Sequence, residues 1–133
     1  MSSGASPNVK RLQATLPGVG AAVAQDQNVG EAPFAGTVTS VSYTPEANLV
    51  GTATNFRTLR LLNKGQDGNG TTVIASLAFD SGAVTADDFD ERAIPITGNA
   101  QVAAGDILAW DETVTGTGLA SPGGLVQVEI TRA

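Results

Sequence analysis

The sequence predicts an all-β chain: an antiparallel β-sandwich, jelly-roll-like, with an extended N-terminal arm. Three observations predict it. Ala, Gly, Thr and Val make up 64 of the 133 residues. Thr and Val suit a pleated surface, and Gly marks turns. From Phe34 onward, apolar residues recur at every second position in short runs, and turn residues separate those runs. No stretch carries the signature of a long helix. A chain of this length forms one domain, and it can bury roughly two-thirds of its unfolded surface without staples.

The elements follow in order. Residues 1–30 are expected to be the arm and residues 31–133 the sandwich. Met1 to Pro7 is Ser, Gly, Ala and Pro around a single Met, with no apolar period. Val9, Leu12 and Leu16 are apolar anchors with no periodic partner strand beside them. Lys10 and Arg11 are the only basic residues before Arg57, and the first acid is Asp26. An arm of this kind has little to bury on its own, so it is expected to bind a neighbouring subunit or partner.

Thr37 to Thr44 reads as a strand ending at Pro45, with Val41 and Tyr43 on one face and Val38 and Ser40 on the other. Phe56 to Asn63 alternates again. Leu59 and Leu61 point inward with Arg57, while Thr58 and Arg60 point outward. An inward Arg near a strand end reaches solvent or pairs with an acid. The run GQDGNGTT supplies Asp-Gly and Asn-Gly pairs, so a hairpin turn leads to the face Val73, Ala75, Leu77, Phe79. Asp80 to Glu91 is an acidic connection, in which Thr85 is placed to cap a short turn through Asp88. Ala93 to Thr97 is a short edge strand with Ile94 and Ile96 inward and Pro95 between them. Ile107 to Trp110 and Leu125 to Thr131 complete the set, the latter with Val126, Val128 and Ile130 on one side and Gln127 and Glu129 on the other. The expected core is Val41, Leu59, Leu61, Val73, Leu77, Val126, Val128 and Ile130.

Composition narrows the chemistry. There is no Cys and no His. Disulfides, thiolate chemistry, Ser-His-Asp catalysis and His-held metals are therefore excluded. Seven basic against thirteen acidic residues leave a net charge of −6, a poor match to nucleic acid. No window approaches the eighteen apolar residues of a membrane-spanning helix. The start is polar, and Ala21 to Ala24 is too short for a signal-peptide core. Asp87, Asp88, Asp90 and Glu91, with Asp80 nearby, could offer oxygens to calcium, but their spacing matches no EF-hand loop and a solvated loop is the simpler reading. Paired carboxylates for glycoside cleavage would need facing acids and aromatic platforms that the sequence does not place. No phosphate-binding glycine loop is present. The expectation is no enzyme, no cofactor and no metal site. Arg60, on an outward face, and Trp110, near a strand end, are candidate partner contacts beside Val9, Lys10, Arg11, Leu12 and Leu16. Trp is common at interfaces, although core packing is its ordinary role.

The runs AGTVTSVSYTPEA, TNFRTLRLLNKGQDGNGTTVIASLAF and VAAGDILAWDETVTGTGLASPGGLVQVEITR resemble the small capsid decoration, or cement, proteins of tailed bacteriophages, particularly those of actinobacteria. The resemblance is one of overall pattern and covers about three-quarters of the chain, without the arm. It implies a protein made in the host cytoplasm and placed on the capsid exterior. It also implies a major capsid protein as partner, a homo-oligomer with a trimer favoured, and no catalytic residues. A head-fibre or tail-fibre module that contacts host glycans is the alternative.

Overall fold

The computed structural model describes residues 8–133, and all of its regular structure is β. In chain order the strands are β1 (Val9–Leu16), β2 (Gln25–Glu31), β3 (Gly36–Pro45), β4 (Leu49–Val50), β5 (Phe56–Asn63), β6 (Thr72–Ala78), β7 (Thr85–Ala86), β8 (Arg92–Ala93), β9 (Gln101–Val102), β10 (Ile107–Thr115) and β11 (Gly124–Arg132). One sheet has the order β1-β11-β3-β8, with β9 also on β3. The other has the order β2-β10-β5-β6, and β4 pairs β7 apart from both. Every pairing is antiparallel. With β4, β7 and β9 set aside, the eight remaining strands run 1-8-3-6 and 2-7-4-5. That is the jelly-roll order, two sheets whose strands come alternately from the two ends of the chain.

This order changes the reading of the N-terminus. Residues 1–7 lie outside the described residues, but Val9–Leu16 is no arm. It pairs with β11 along its whole length, from Val9 opposite Thr131 to Leu16 opposite Gly124. Gln25–Glu31 pairs with β10 in the facing sheet. Both strands therefore belong to the sandwich that was expected to begin at residue 31. The physical reason is distance along the chain. The partner that gives VKRLQATL its strand is more than a hundred residues away, and QDQNVGE has only Val29 to bury.

The core lies between the sheets. Of the expected residues, Val41, Leu59, Leu61, Val126, Val128 and Ile130 are buried, and Leu77 packs against them from a partly buried position. Val73 is displaced from it. A bulge between Leu61 and Leu62 shifts the β5–β6 register and turns Ile74 inward in its place. A second bulge, between Glu129 and Ile130 on β11, brings Val38 onto the same inner face as Val41. Ile94 is buried, but Ile96 is exposed. The segment crosses from one sheet to the other: the Ile94 N–H donates to Val41 O, and the Ser76 N–H to Pro95 O. Successive residues there do not alternate as they would along one strand. Thr85 lies in β7 and caps no helix.

Tyr43 and Trp110 meet between the sheets with ring centroids 6.1 Å apart and planes at 23°. The Tyr43 hydroxyl donates to Gly123 O at 3.0 Å, and burial pushes its pKa up to about 12. Gly118, at φ 79°, lets the β10–β11 loop lie against the β1–β2 connection, where a Cβ would run into the carbonyl oxygen of Ala21. Leu61 is wholly buried between the sheets. Leu61→Ala is expected to cost about 2–5 kcal/mol in denaturant unfolding, from lost contacts and the cavity left behind.

Candidate docking face

Antiparallel pairing sends alternate residues of each strand to the outside, and on the first sheet these form cross-strand rows. Val9, Thr131 and Thr37 make one row. Arg11, Glu129 and Ser40 make the next, then Gln13, Gln127 and Ser42, then Thr15, Leu125 and Thr44. The side chains tie themselves together. Arg11 donates to Glu129 at 2.7 Å, and Gln127 donates to Gln13 at 3.1 Å. Gln101 on β9 donates to the Thr37 hydroxyl at 3.0 Å, and the Thr39 and Thr131 hydroxyls lie 3.3 Å apart. The result is a nearly neutral Ser/Thr/Gln surface whose one cation is already paired.

Arg11, Ser40, Ser42, Gln127 and Glu129 on that face, with Glu91 from the loop before β8, surround a concavity of about 20 Å³. This is room for about one water molecule and not for an organic ligand. The arrangement suits contact with a broad surface.

The sequence candidates do not converge on this face. Val9 and Arg11 lie on it, and Lys10 is exposed beside it. Leu12 and Leu16 turn inward, Leu16 to 1% exposure and Leu12 against the core. They are fold residues, since β1 is a sandwich strand. Trp110 is corrected as well: it is 0% exposed and donates its indole N–H to Glu112 Oε2 at 2.9 Å. Arg60 is on the outer face of the other sheet, paired with Asp111, its cross-strand neighbour on β10. The residues that sequence reasoning missed here are Gln13 and Ser40; Ser42 belongs to the same rows but is buried. Their only signal was alternation within strands, and Ser and Gln alternate with apolar residues on any solvated sheet.

Arg57 has a role of its own. It and Glu112 are both 0% exposed and form an ion pair at 3.0 Å. Three more guanidinium N–H groups go to the Leu119, Gly20 and Val23 carbonyls, and Gln25 donates to Glu112 Oε1. This is the acid partner that the inward Arg was expected to need, and it clamps the β1–β2 connection to the β10–β11 loop.

Outside the second sheet, Asp26 stands opposite Asp111 in register, with Arg60 on Asp111's other side. The Asp26 carboxyl is raised above its ordinary value, first by its hydrogen bond with Asp111, then by burial and by that neighbour's charge, while Lys64 and Arg60 oppose the shift. A raised acid stabilises the fold while protonated, and that contribution is lost as pH rises through its folded pKa. Asp26→Asn is therefore expected to melt slightly higher than wild type at pH 7. The gap should close as pH falls below the carboxylate range, which melts at pH 3 and pH 7 will show.

The acidic loop contains no trio of carboxylates arranged to hold a metal among the described residues. The Asp67-Gly68-Asn69-Gly70 segment is a turn: Asp67 Oδ1 accepts the Asn69 N–H at 3.0 Å, which lowers the Asp67 pKa, and Gly68 has φ 81°. No helix among the described residues is long and apolar enough to cross a membrane. Comparison with family models and with curated proteins finds no match to this chain.

Proposed function

We propose that the chain is a structural virion protein that binds the outside of an assembled tailed-phage capsid and stabilises it by bridging neighbouring capsid subunits. The observation that carries this reading is the outer face of the first sheet. It is broad and nearly neutral, its side chains are held by one another, and it has no cleft for a small molecule. Such a face loses little side-chain entropy when covered, because its rotamers are already fixed. The jelly-roll order supports the reading by analogy alone, since capsid and lectin domains both use it. The sequence resemblance points the same way.

On this reading the major capsid protein is the partner and the chain acts as a homo-oligomer, a trimer about a capsid symmetry axis. No cofactor or catalysis is assigned. A protein that binds the assembled shell and not its free subunit stabilises the shell by mass action, and repetition by symmetry multiplies modest contacts.

The test is co-sedimentation with heads assembled without the chain. The protein should pellet with heads, fail to bind free capsid subunits, and raise the temperature at which heads rupture. Binding to free subunits as strong as to heads, or no binding to heads, overturns the proposal. Gln127→Lys puts an unpaired charge into the middle of the face. It should weaken head binding about tenfold while changing the chain's own stability by about 0.5 kcal/mol or less.

A further inference from the structure

We propose that Phe89 is the anchor of this docking surface, inserted into an apolar pocket of the capsid partner whose rim carries Lys or Arg. The inference rests on the capsid reading and specifies the chemistry of its partner.

Phe89 is 75% exposed, well above the other exposed large apolar residues among the described ones. It is also the one non-glycine residue there with positive φ, at 57°. A bulky side chain is disfavoured in that region, which Gly or Asn enters easily. The backbone imposes it. The Phe89 N–H donates to Pro45 O at 2.8 Å, the Asp90 N–H to Asp87 O at 3.1 Å, and the Asp88 N–H to Asn48 Oδ1 at 2.8 Å. Those bonds fix the loop against the end of β3 and the turn after it, whatever side chain stands at 89. The fold gains little from the ring, and bears both its exposure to water and its strained backbone.

Position and charge indicate the partner. The same loop continues through Glu91, which lines the concavity of the docking face, into β8, which pairs with Ser42 and Tyr43. The loop that carries the ring thus borders that face. Its neighbours Asp87, Asp88, Asp90 and Glu91 are all exposed carboxylates. An apolar knob ringed by anions fits an apolar pocket ringed by cations. An anionic lipid surface would repel the same loop, and the same loop of a second copy would oppose it with like charge.

The experiment measures head binding and melting together for wild type, Phe89→Gly and Phe89→Tyr. Gly removes the ring and suits the backbone, so the Phe89→Gly melt should equal or exceed wild type while its head affinity falls about tenfold or more. Phe89→Tyr should keep most of the affinity, and Asp88→Lys should lower it most at low salt. Wild type and Phe89→Gly binding heads alike would overturn the anchor and leave the capsid reading standing. A lower melt for Phe89→Gly would make the ring structural and overturn it too. Wild type failing to bind heads would overturn both, as would binding to phosphatidylglycerol vesicles that depends on Phe89 in the absence of head binding.

Discussion

Deleting residues 2–18 is expected to unfold the sandwich. The deletion removes β1, and with it Leu16, Leu12 and Ala14 from the inner face of the first sheet. The buried Leu16 accounts for about 1.5–3 kcal/mol, and the partly buried Leu12 for less. The deletion also strips β11 of a partner along eight register positions and opens the side of the core beside Val128. The backbone entropy no longer spent on ordering β1 works the other way. It cannot restore cover to β11, whose inward Val126, Val128 and Ile130 are completely buried only while β1 and β3 flank them. Total stabilities are of order 5–15 kcal/mol, so the expected melt is about 10 °C lower at least, or has no cooperative transition at all. Thermal melting followed by far-ultraviolet circular dichroism decides it. An unchanged melt would return residues 8–18 to the role of an accessory arm.

That expectation reverses the one drawn from sequence, and the reversal shows what the sequence could carry. Alternation within a strand is local, so Leu59 with Leu61 and Val126 with Val128 and Ile130 were legible at sight. Strand partnership is non-local. VKRLQATL already alternates Leu12, Ala14 and Leu16 against Arg11, Gln13 and Thr15, yet nothing near it supplies the β11 edge it needs. Bulges are equally silent: one extra residue at Ile74 or Thr39 moves Val73 out and Val38 in, and no side-chain pattern announces it. The candidate docking face was hidden for a different reason. Its Ser, Thr and Gln residues are what any solvated sheet carries, and only the register shows that Arg11 is neutralised by Glu129 and that Gln13 meets Gln127. Phe89 was invisible because its oddity is a backbone angle. Arg57 came closest to being read, since an inward Arg demands an acid, but Glu112 lies 55 residues further on and could not be named.

Removing either member of that pair is the second large effect. Arg57→Met is expected to cost about 3–5 kcal/mol, because it leaves the Glu112 carboxylate buried without a cation. The loss is spread over more than the ion pair. The carbonyls of Leu119, Gly20 and Val23 also lose their donor, and each buried polar group left unpaired costs about 1–3 kcal/mol unless water reaches it. Glu112→Gln is the informative comparison. It keeps an oxygen that can accept from Arg57, Gln25 or Trp110, but it leaves the guanidinium without a counter-charge. If charge balance dominates, Glu112→Gln should be nearly as damaging as Arg57→Met. If the hydrogen bonds that hold the two loops dominate, Glu112→Gln should be much milder. The double variant Arg57→Met with Glu112→Leu separates the terms further. Replacing a buried pair by apolar residues can be neutral, so the charge cost disappears and what remains is the loss of the clamp between the β1–β2 connection and the β10–β11 loop. The double variant is expected to regain part of the stability lost in Arg57→Met, yet to leave residues 17–24 exchanging amide hydrogens faster than in wild type. Denaturant unfolding of the three variants, with hydrogen exchange over that segment, measures both. A double variant with wild-type exchange in 17–24 would show that the pair does not act as a loop clamp, and one as unstable as Arg57→Met would show that the lost hydrogen bonds, and not the unpaired charge, carry the cost.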